Sequence, residues 1–295
     1  MKRLWLIMLL IITGLCACSP KSQAEGSANI TAIQNKGSDT MVNLALAWAE
    51  TYQKSHPEVT ISVTGGGTGT GIAALLNNTV DIANASRKIK DEEINTAAAN
   101  GVTPQEYVVA RDAIAVIVHP DNPVQQLTLE QISAIYSGKI NNWAEIGGEN
   151  RPIVRLSRET NSGTHVYFLE VVVRLGSKED KTIFSADTLL LPSSEGIISE
   201  VSSNPNAIGY DGLGYITSHV KMLAVKGLNS SDYIPPSVDT VNSGTYPISR
   251  DLYVYTNGQP SGALKTYIDW MFTPEAQTIV KSLGFVPVST GTSTP

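Results

Sequence analysis

Beyond residue 29 the chain alternates short β-rich runs with stretches whose apolar residues recur at helical spacing, the pattern of βα units around a largely parallel sheet. Residues 30–34 predict a short strand, and Met41, Leu44, Ala45 and Trp48 give residues 40–54 one apolar helix face. A second strand is expected over 59–63. The run GGGTGTG, Gly65 to Gly71, then opens the helix IAALLNN, and VDIANASR passes from strand to loop at Ser86 and Arg87. The segment DEEINTAAAN predicts a helix ended by Gly101, and the apolar run 107–119, stopped by Pro120 and Pro123, reads as a buried central strand. A second series starts at Thr128: the helix TLEQISAIYSG, the strand RPIVRLS, a helix after Ser162-Gly163-Thr164 and the glycine-rich NAIGYDGLGYI. Residues 246–257, YPISRDLYVYTN, repeat the strand character of the long apolar run, and one last helix is expected over 262–283. The expected architecture is α/β, with two lobes joined by two crossing strands. Residues 29–116 and 249–290 form the first lobe and residues 117–248 the second, with hinges near Ala115 and Leu252.

The start of the chain has a different pattern. Lys2 and Arg3 precede an apolar run over 4–15 that is too short to span a bilayer, which predicts an export signal over residues 1–17. Leu15-Cys16-Ala17-Cys18 is similar to a bacterial lipobox, whose last cysteine is acylated, although Cys16 is an unusual occupant; a plain cleavable signal is the alternative. Residues 18–28, small and polar, suit a flexible tether between a lipid anchor and a folded body. With both cysteines in the leader region, the folded part has no disulfide available and its stability rests on its cores. Without the leader, 19 basic side chains face 27 acidic ones, a charge near −8 that excludes a nucleic-acid partner.

Candidate chemistry lies in a recurrence. Gly37-Ser38-Asp39-Thr40, Gly67 to Gly71 and Asn161-Ser162-Gly163-Thr164 each stand between a strand and an amphipathic helix. Helix N-termini carry unsatisfied N–H groups and positive partial charge, and Ser and Thr hydroxyls add donors, so such loops attract anions. Each loop alone is explained by N-capping. Taken together, and with Arg158 before the third loop and Arg87 after the second helix, they suit an oxyanion held by planar guanidinium groups.

Competing constellations are incomplete. Gly71 is followed by Ile72 rather than Lys and Ser/Thr, so a P-loop is excluded, and the Gly67 pattern lacks the acidic partner of a dinucleotide site. Ser162 and His165 lack a nucleophile elbow, which leaves His165 a structural histidine. His56, His119 and His219 have no metal-ligand spacing, and Trp48, Trp143 and Trp270 read as packing residues.

GSDTMVNLALAWAETYQ, GGGTGTGIAALLNNTVDIANASR, SRETNSGTHVYF and NAIGYDGLGYI, in that order, resemble the phosphate-binding lipoproteins of bacterial ABC transporters over nearly all of the mature chain. The resemblance implies the two-lobed periplasmic-binding-protein fold (type II), with inorganic phosphate held between the lobes without a metal or cofactor. It implies delivery to membrane permease subunits, no catalysis and a monomeric, membrane-anchored, exported protein. Ser38, Thr40, Thr68, Ser86, Arg158, Ser162, Gly163 and Thr164 fall on the family's ligand positions, and Arg87 is added to them as a candidate. Several members have an aspartate where Arg87 stands, which accepts the proton of hydrogen phosphate; a shorter branch has Ser-Arg there, as here. Asp39 is the candidate for that acceptor, or else a helix cap. Another tetrahedral oxyanion such as sulfate, molybdate or tungstate is the alternative ligand, and a cell-surface phosphate-ester hydrolase or an adhesin on the same fold the alternative class.

Overall fold

The computed structural model describes residues 30–288, so the expected export signal, Cys18 and the tether lie outside the described residues. β1 (Thr31–Gly37) leads into α1 (Val42–Ser55), β2 (Val59–Thr64), α2 (Thr68–Leu76), β3 (Ile82–Ala85) and α3 (Asp91–Ala99). β1 runs three residues past the expected strand, because the polar residue Asn35 and Gly37 continue its buried face and mask the apolar alternation. β4 (Pro104–Val118) follows as a long strand, buried from Asp112 to its end. Next come β5 (Gln126–Thr128), α4 (Leu129–Tyr136), β6 (Val154–Arg158), α5 (Gly163–Phe168), which continues as a π turn, β7 (Leu189–Leu191), α6 (Ser194–Ser203) and β8 (Ala207–Gly212). The chain finishes with β9 (Lys221–Met222), β10 (Ala224–Lys226), α7 (Val238–Asn242), β11 (Ser249–Asn257), α8 (Gly262–Met271) and α9 (Pro274–Ser282).

The single helix expected over 262–283 is thus two. Pro274 has no N–H to extend the ladder of α8, and Thr273 caps α9 by accepting from Ala276 N at 3.3 Å. Likewise the ladder of β11 starts only at Ser249, while Tyr246 and Ile248 before it are core residues.

The sheet order is β2-β1-β3-β11-β4-β8-β6-β7, with β9 also on β4. β1 pairs in parallel with β2 and β3, and β6 in parallel with β7 and β8; β11 and β4 are antiparallel. Parallel neighbours require the helical crossovers that the alternation announced. β4 is shared: from Pro104 to Ala113 it pairs with β11, and from Ile114 to Val118 with β8.

Two principal cores follow from this. Ile33, Leu44, Trp48, Val109, Ala110, Leu252 and Ile268 pack in one, and Ala113, Ile114, Ile132, Trp143, Phe168, Tyr210 and Ile248 in the other. β4 therefore changes core between Ala110 and Ala113, and the chain crosses again between Ile248 and Leu252. The two-lobed α/β arrangement is present, with both crossings on adjacent antiparallel strands. Trp48 and Trp143 lie in the cores, each indole N–H donating at 3.0 Å to a backbone carbonyl, of Ala276 and Asn206. An indole so satisfied adds large apolar contact without an unpaired donor.

Candidate functional site

The three small-residue loops meet at the seam between the lobes. Ser38 and Thr40 stand at the 3₁₀ turn Asp39–Met41 that enters α1, Thr68 is the first residue of α2, and Ser86 follows β3. From the second lobe, Ser162, Gly163 and Thr164 open α5 directly after β6 and Arg158. All of these side chains are buried.

Their hydroxyls are bonded largely to one another. Ser38 Oγ donates to Ser86 Oγ at 2.9 Å, and Thr68 Oγ1 lies 3.2 Å from Ser86 Oγ while accepting from Ser86 N at 3.0 Å. Thr40 Oγ1 and Thr164 Oγ1, from opposite lobes, are hydrogen-bonded at 2.9 Å. Ser162 caps α5 by accepting from Thr164 N at 3.2 Å. Gly163 fits between the lobes because it has no side chain: a Cβ there would lie 2.5 Å from both Ser86 Oγ and Thr68 Oγ1. Hydroxyls can turn their hydrogens, so a cluster of this kind can redirect several donors to one anion.

Arg158, 1% exposed, donates through Nη1 to Ser194 Oγ and through Nη2 to Asp39 Oδ2 and Pro192 O, each at 2.8 Å. Asp39 thereby spans the seam, its other oxygen accepting from Gly66 N at 2.9 Å. It does not cap its own helix. Asn161 adds further cross-lobe bonds, its carbonyl accepting from Gly69 N and its amide donating to Gly66 O, both at 3.0 Å.

Arg87 is placed apart from this cluster. Its guanidinium grips Glu93 bidentately, at 2.8 and 2.7 Å, and also donates to Lys88 O. Burial works against the Glu93 carboxylate, but Arg87 and Lys90 outweigh it and hold its pKa below the ordinary value. Eight of the nine residues singled out in the sequence thus converge, and the ninth lines a neighbouring chamber of about 670 Å³ with Lys88, Lys90, Tyr167, Lys178 and Arg250.

Arg250 was not singled out, yet it touches three of the converging segments. Nη1 donates to Ser86 O at 2.9 Å, and Nη2 lies 3.0 Å from Thr164 Oγ1, 3.3 Å from Thr40 Oγ1 and 3.0 Å from Asp112 Oδ2. A signal existed in the sequence: Arg111-Asp112 and Arg250-Asp251 put charges inside strands that read as buried, and buried strands do not keep lone charges.

The fold family follows from comparison. A model of the PBP superfamily domain matches residues 22–275. The phosphate-binding protein PstS of Pseudomonas aeruginosa is 31% identical, over 98% of this chain and 95% of its own length. The chain belongs to the PstS family of phosphate-binding proteins. The PstS of Bacillus subtilis is 30% identical over 92% of this chain and 84% of its own. A solved structure from Clostridium perfringens, a phosphate ABC transporter substrate-binding protein with bound phosphate, superposes with a TM-score of 0.78 at 31% identity, covering 88% of this chain and all (100%) of that one. Family members share the two-lobed periplasmic-binding-protein fold and serve as substrate-binding components of transport.

Electrostatically the PstS-family seam holds a balance of buried charge. Arg158 and Arg250 face Asp112 and Asp211, both wholly buried, with Asp39 at the rim. Ser194 links Arg158 to Asp211, donating to Asp211 Oδ1 at 2.9 Å. Burial raises the pKa of Asp211, and it pushes that of Asp112 up to about 6 against the pull of Arg250. The Nε of Arg158 and of Arg250 is buried with no hydrogen-bond partner among the described residues. Behind the site, Ser157 Oγ is bonded to His165 Nδ1 at 3.0 Å and to Tyr210 OH at 2.6 Å, so His165 is structural, and burial holds its pKa below the ordinary value.

Proposed function

We propose that this protein captures inorganic phosphate outside the cytoplasm, between its two lobes, and delivers it to the permease of an ABC transporter. One observation carries the reading: hydroxyls from both lobes, including the Thr40–Thr164 pair at 2.9 Å, gather at the seam where Arg158 and Arg250 are buried, each with an Nε that has no partner among the described residues. Ser38, Thr40, Thr68 and Ser86 act from one side, and Arg158, Ser162, Gly163 and Thr164 from the other. No bond is made or broken in this reading. Affinity comes from several charge-assisted hydrogen bonds in a site closed to water, where each is stronger than it would be in solvent.

The partition into residues 29–116 with 249–290 and residues 117–248 belongs to the same reading, supported by the exchange of cores at the two crossings. Closure is then a hinge motion where β4 and β11 cross. A lipid anchor at Cys18 keeps the monomeric receptor at the membrane. Asp39, committed to Arg158 and Gly66, serves as a cross-lobe clasp.

Titration calorimetry with phosphate, sulfate and molybdate tests the ligand. Tight binding of phosphate alone is the expected result; equal binding of all three, or none, would sink it. Arg158→Met is expected to weaken phosphate binding about 100-fold or more, since it removes a charge-assisted donor from a desolvated anion. Unchanged affinity in that variant would rule out the site.

A further inference from the structure

Arg250 belongs to neither of the loop sets that resemble the family's ligand positions. It stands on β11 at the second crossing, opposite Asp112 of β4, two residues before Leu252, after which the register of the ladder shifts. Its side chain runs to the seam, where Nη2, which carries two hydrogens, has three oxygens within 3.3 Å: Thr164 Oγ1, Thr40 Oγ1 and Asp112 Oδ2. Two of these are hydroxyls of opposite lobes. A hydroxyl that accepts from a cation is a stronger donor in turn, so one guanidinium polarises both threonines toward whatever they face. Nη1 holds the carbonyl of Ser86, and Nε is buried without a partner among the described residues. The face of Tyr167 lies 5.6 Å from the guanidinium carbon, which keeps the charge in place without taking a donor. Asp112 is the fixed counter-charge: Oδ2 pairs with Arg250 and Oδ1 accepts from Leu213 N at 3.2 Å.

We infer that Arg250 is a direct ligand of the bound anion and the residue that couples its capture to lobe closure. Both threonines reach one nitrogen only when the lobes are together, and that nitrogen is carried by the strand at which the lobes turn. An anion drawing on the hydroxyls and on Arg250 therefore pulls on both lobes and on the hinge at once. Asp112 prevents the guanidinium from standing as a lone buried charge when no anion is held.

The inference rests on the phosphate reading, and the experiment separates the two. Wild type, Arg250→Lys, Arg250→Gln and the double variant Asp112→Asn/Arg250→Gln are titrated with sodium phosphate by calorimetry. Their radius of gyration is measured by small-angle scattering with and without phosphate, and circular dichroism reports folding. The double variant removes both charges together, so no buried carboxylate is left uncompensated. Lysine keeps the charge but not the fork that reaches Ser86, Thr40 and Thr164 together. Wild type is expected to bind and contract, Arg250→Lys to lose about 10-fold in affinity, and the glutamine variants about 100-fold or more, with contraction abolished. If wild type fails to bind phosphate, the functional reading falls and this inference with it. If wild type binds while Arg250→Lys and the double variant bind within about 3-fold of it, the inference alone is overturned. Weak binding with full contraction at saturating phosphate overturns the coupling and leaves Arg250 a ligand only.

Discussion

Asp112 shows how a single buried residue ties this site to pH. Its pKa is pushed up to about 6 by burial, with Arg250 pulling the other way. The folded state therefore holds a proton that the unfolded chain, with an ordinary aspartate pKa of about 3.9, has already released. The stability this contributes is present in full below about pH 4 and is lost as pH rises through about 6. Between pH 4 and pH 7 wild type is expected to lose stability relative to Asp112→Asn by something on the order of 2 kcal/mol. Urea unfolding midpoints of both proteins at the two pH values check this; parallel curves would contradict it. The neighbouring pair of Arg87 and Glu93 has the opposite sign, because Glu93 is held below its ordinary pKa and favours the folded state above that range.

At the scale of elements, the strand-to-helix turns were legible because each carries glycine and a small hydroxyl residue next to a clear change of period. Ser38, Thr68 and Ser162 could be placed at helix starts on that basis alone. Arg250 could not, since its pairing with Asp112 spans 138 residues and arises from the antiparallel register of β11 on β4, which no local pattern encodes. Arg87 misled for a related reason: its position after β3 matched the expected loop, but Glu93 on the next helix offers a closer carboxylate partner. The break between α8 and α9 was written in Thr273-Pro274, and continuous amphipathicity on either side concealed it. One packing contact sets the position of α2. A Cβ at Gly71 would stand 2.5 Å from Gly37 Cα and 2.6 Å from Lys36 O, so the helix lies directly on β1. Gly71→Ala is expected to destabilise the protein by about 1–2 kcal/mol in chemical denaturation, as overpacking outweighs the roughly 1 kcal/mol that alanine adds to a helix. A stabilised variant would show that β1 and α2 can separate freely.

For the whole molecule, Gly163 distinguishes folding from closing. The atoms a side chain there would strike, Ser86 Oγ and Thr68 Oγ1, belong to the other lobe. Gly163→Ala is thus expected to leave the melting temperature without phosphate within about 2 °C of wild type, while phosphate affinity falls about 10-fold or more. Calorimetry and melting curves on one preparation test both halves; an equal loss in each would mean that the lobes are packed together before any ligand arrives.

The sharing of β4 reaches further than the hinge. One unbroken strand supplies the ladder of β11 with its first part and that of β8 with its last. A gene fragment for either lobe must stop inside that strand, and it leaves the neighbouring strand with an open row of N–H and C=O groups ready to pair with another copy. Half-proteins made this way are expected to aggregate when expressed alone and to recover solubility when expressed together. The receptor is two lobes to its ligand but one indivisible unit to the ribosome.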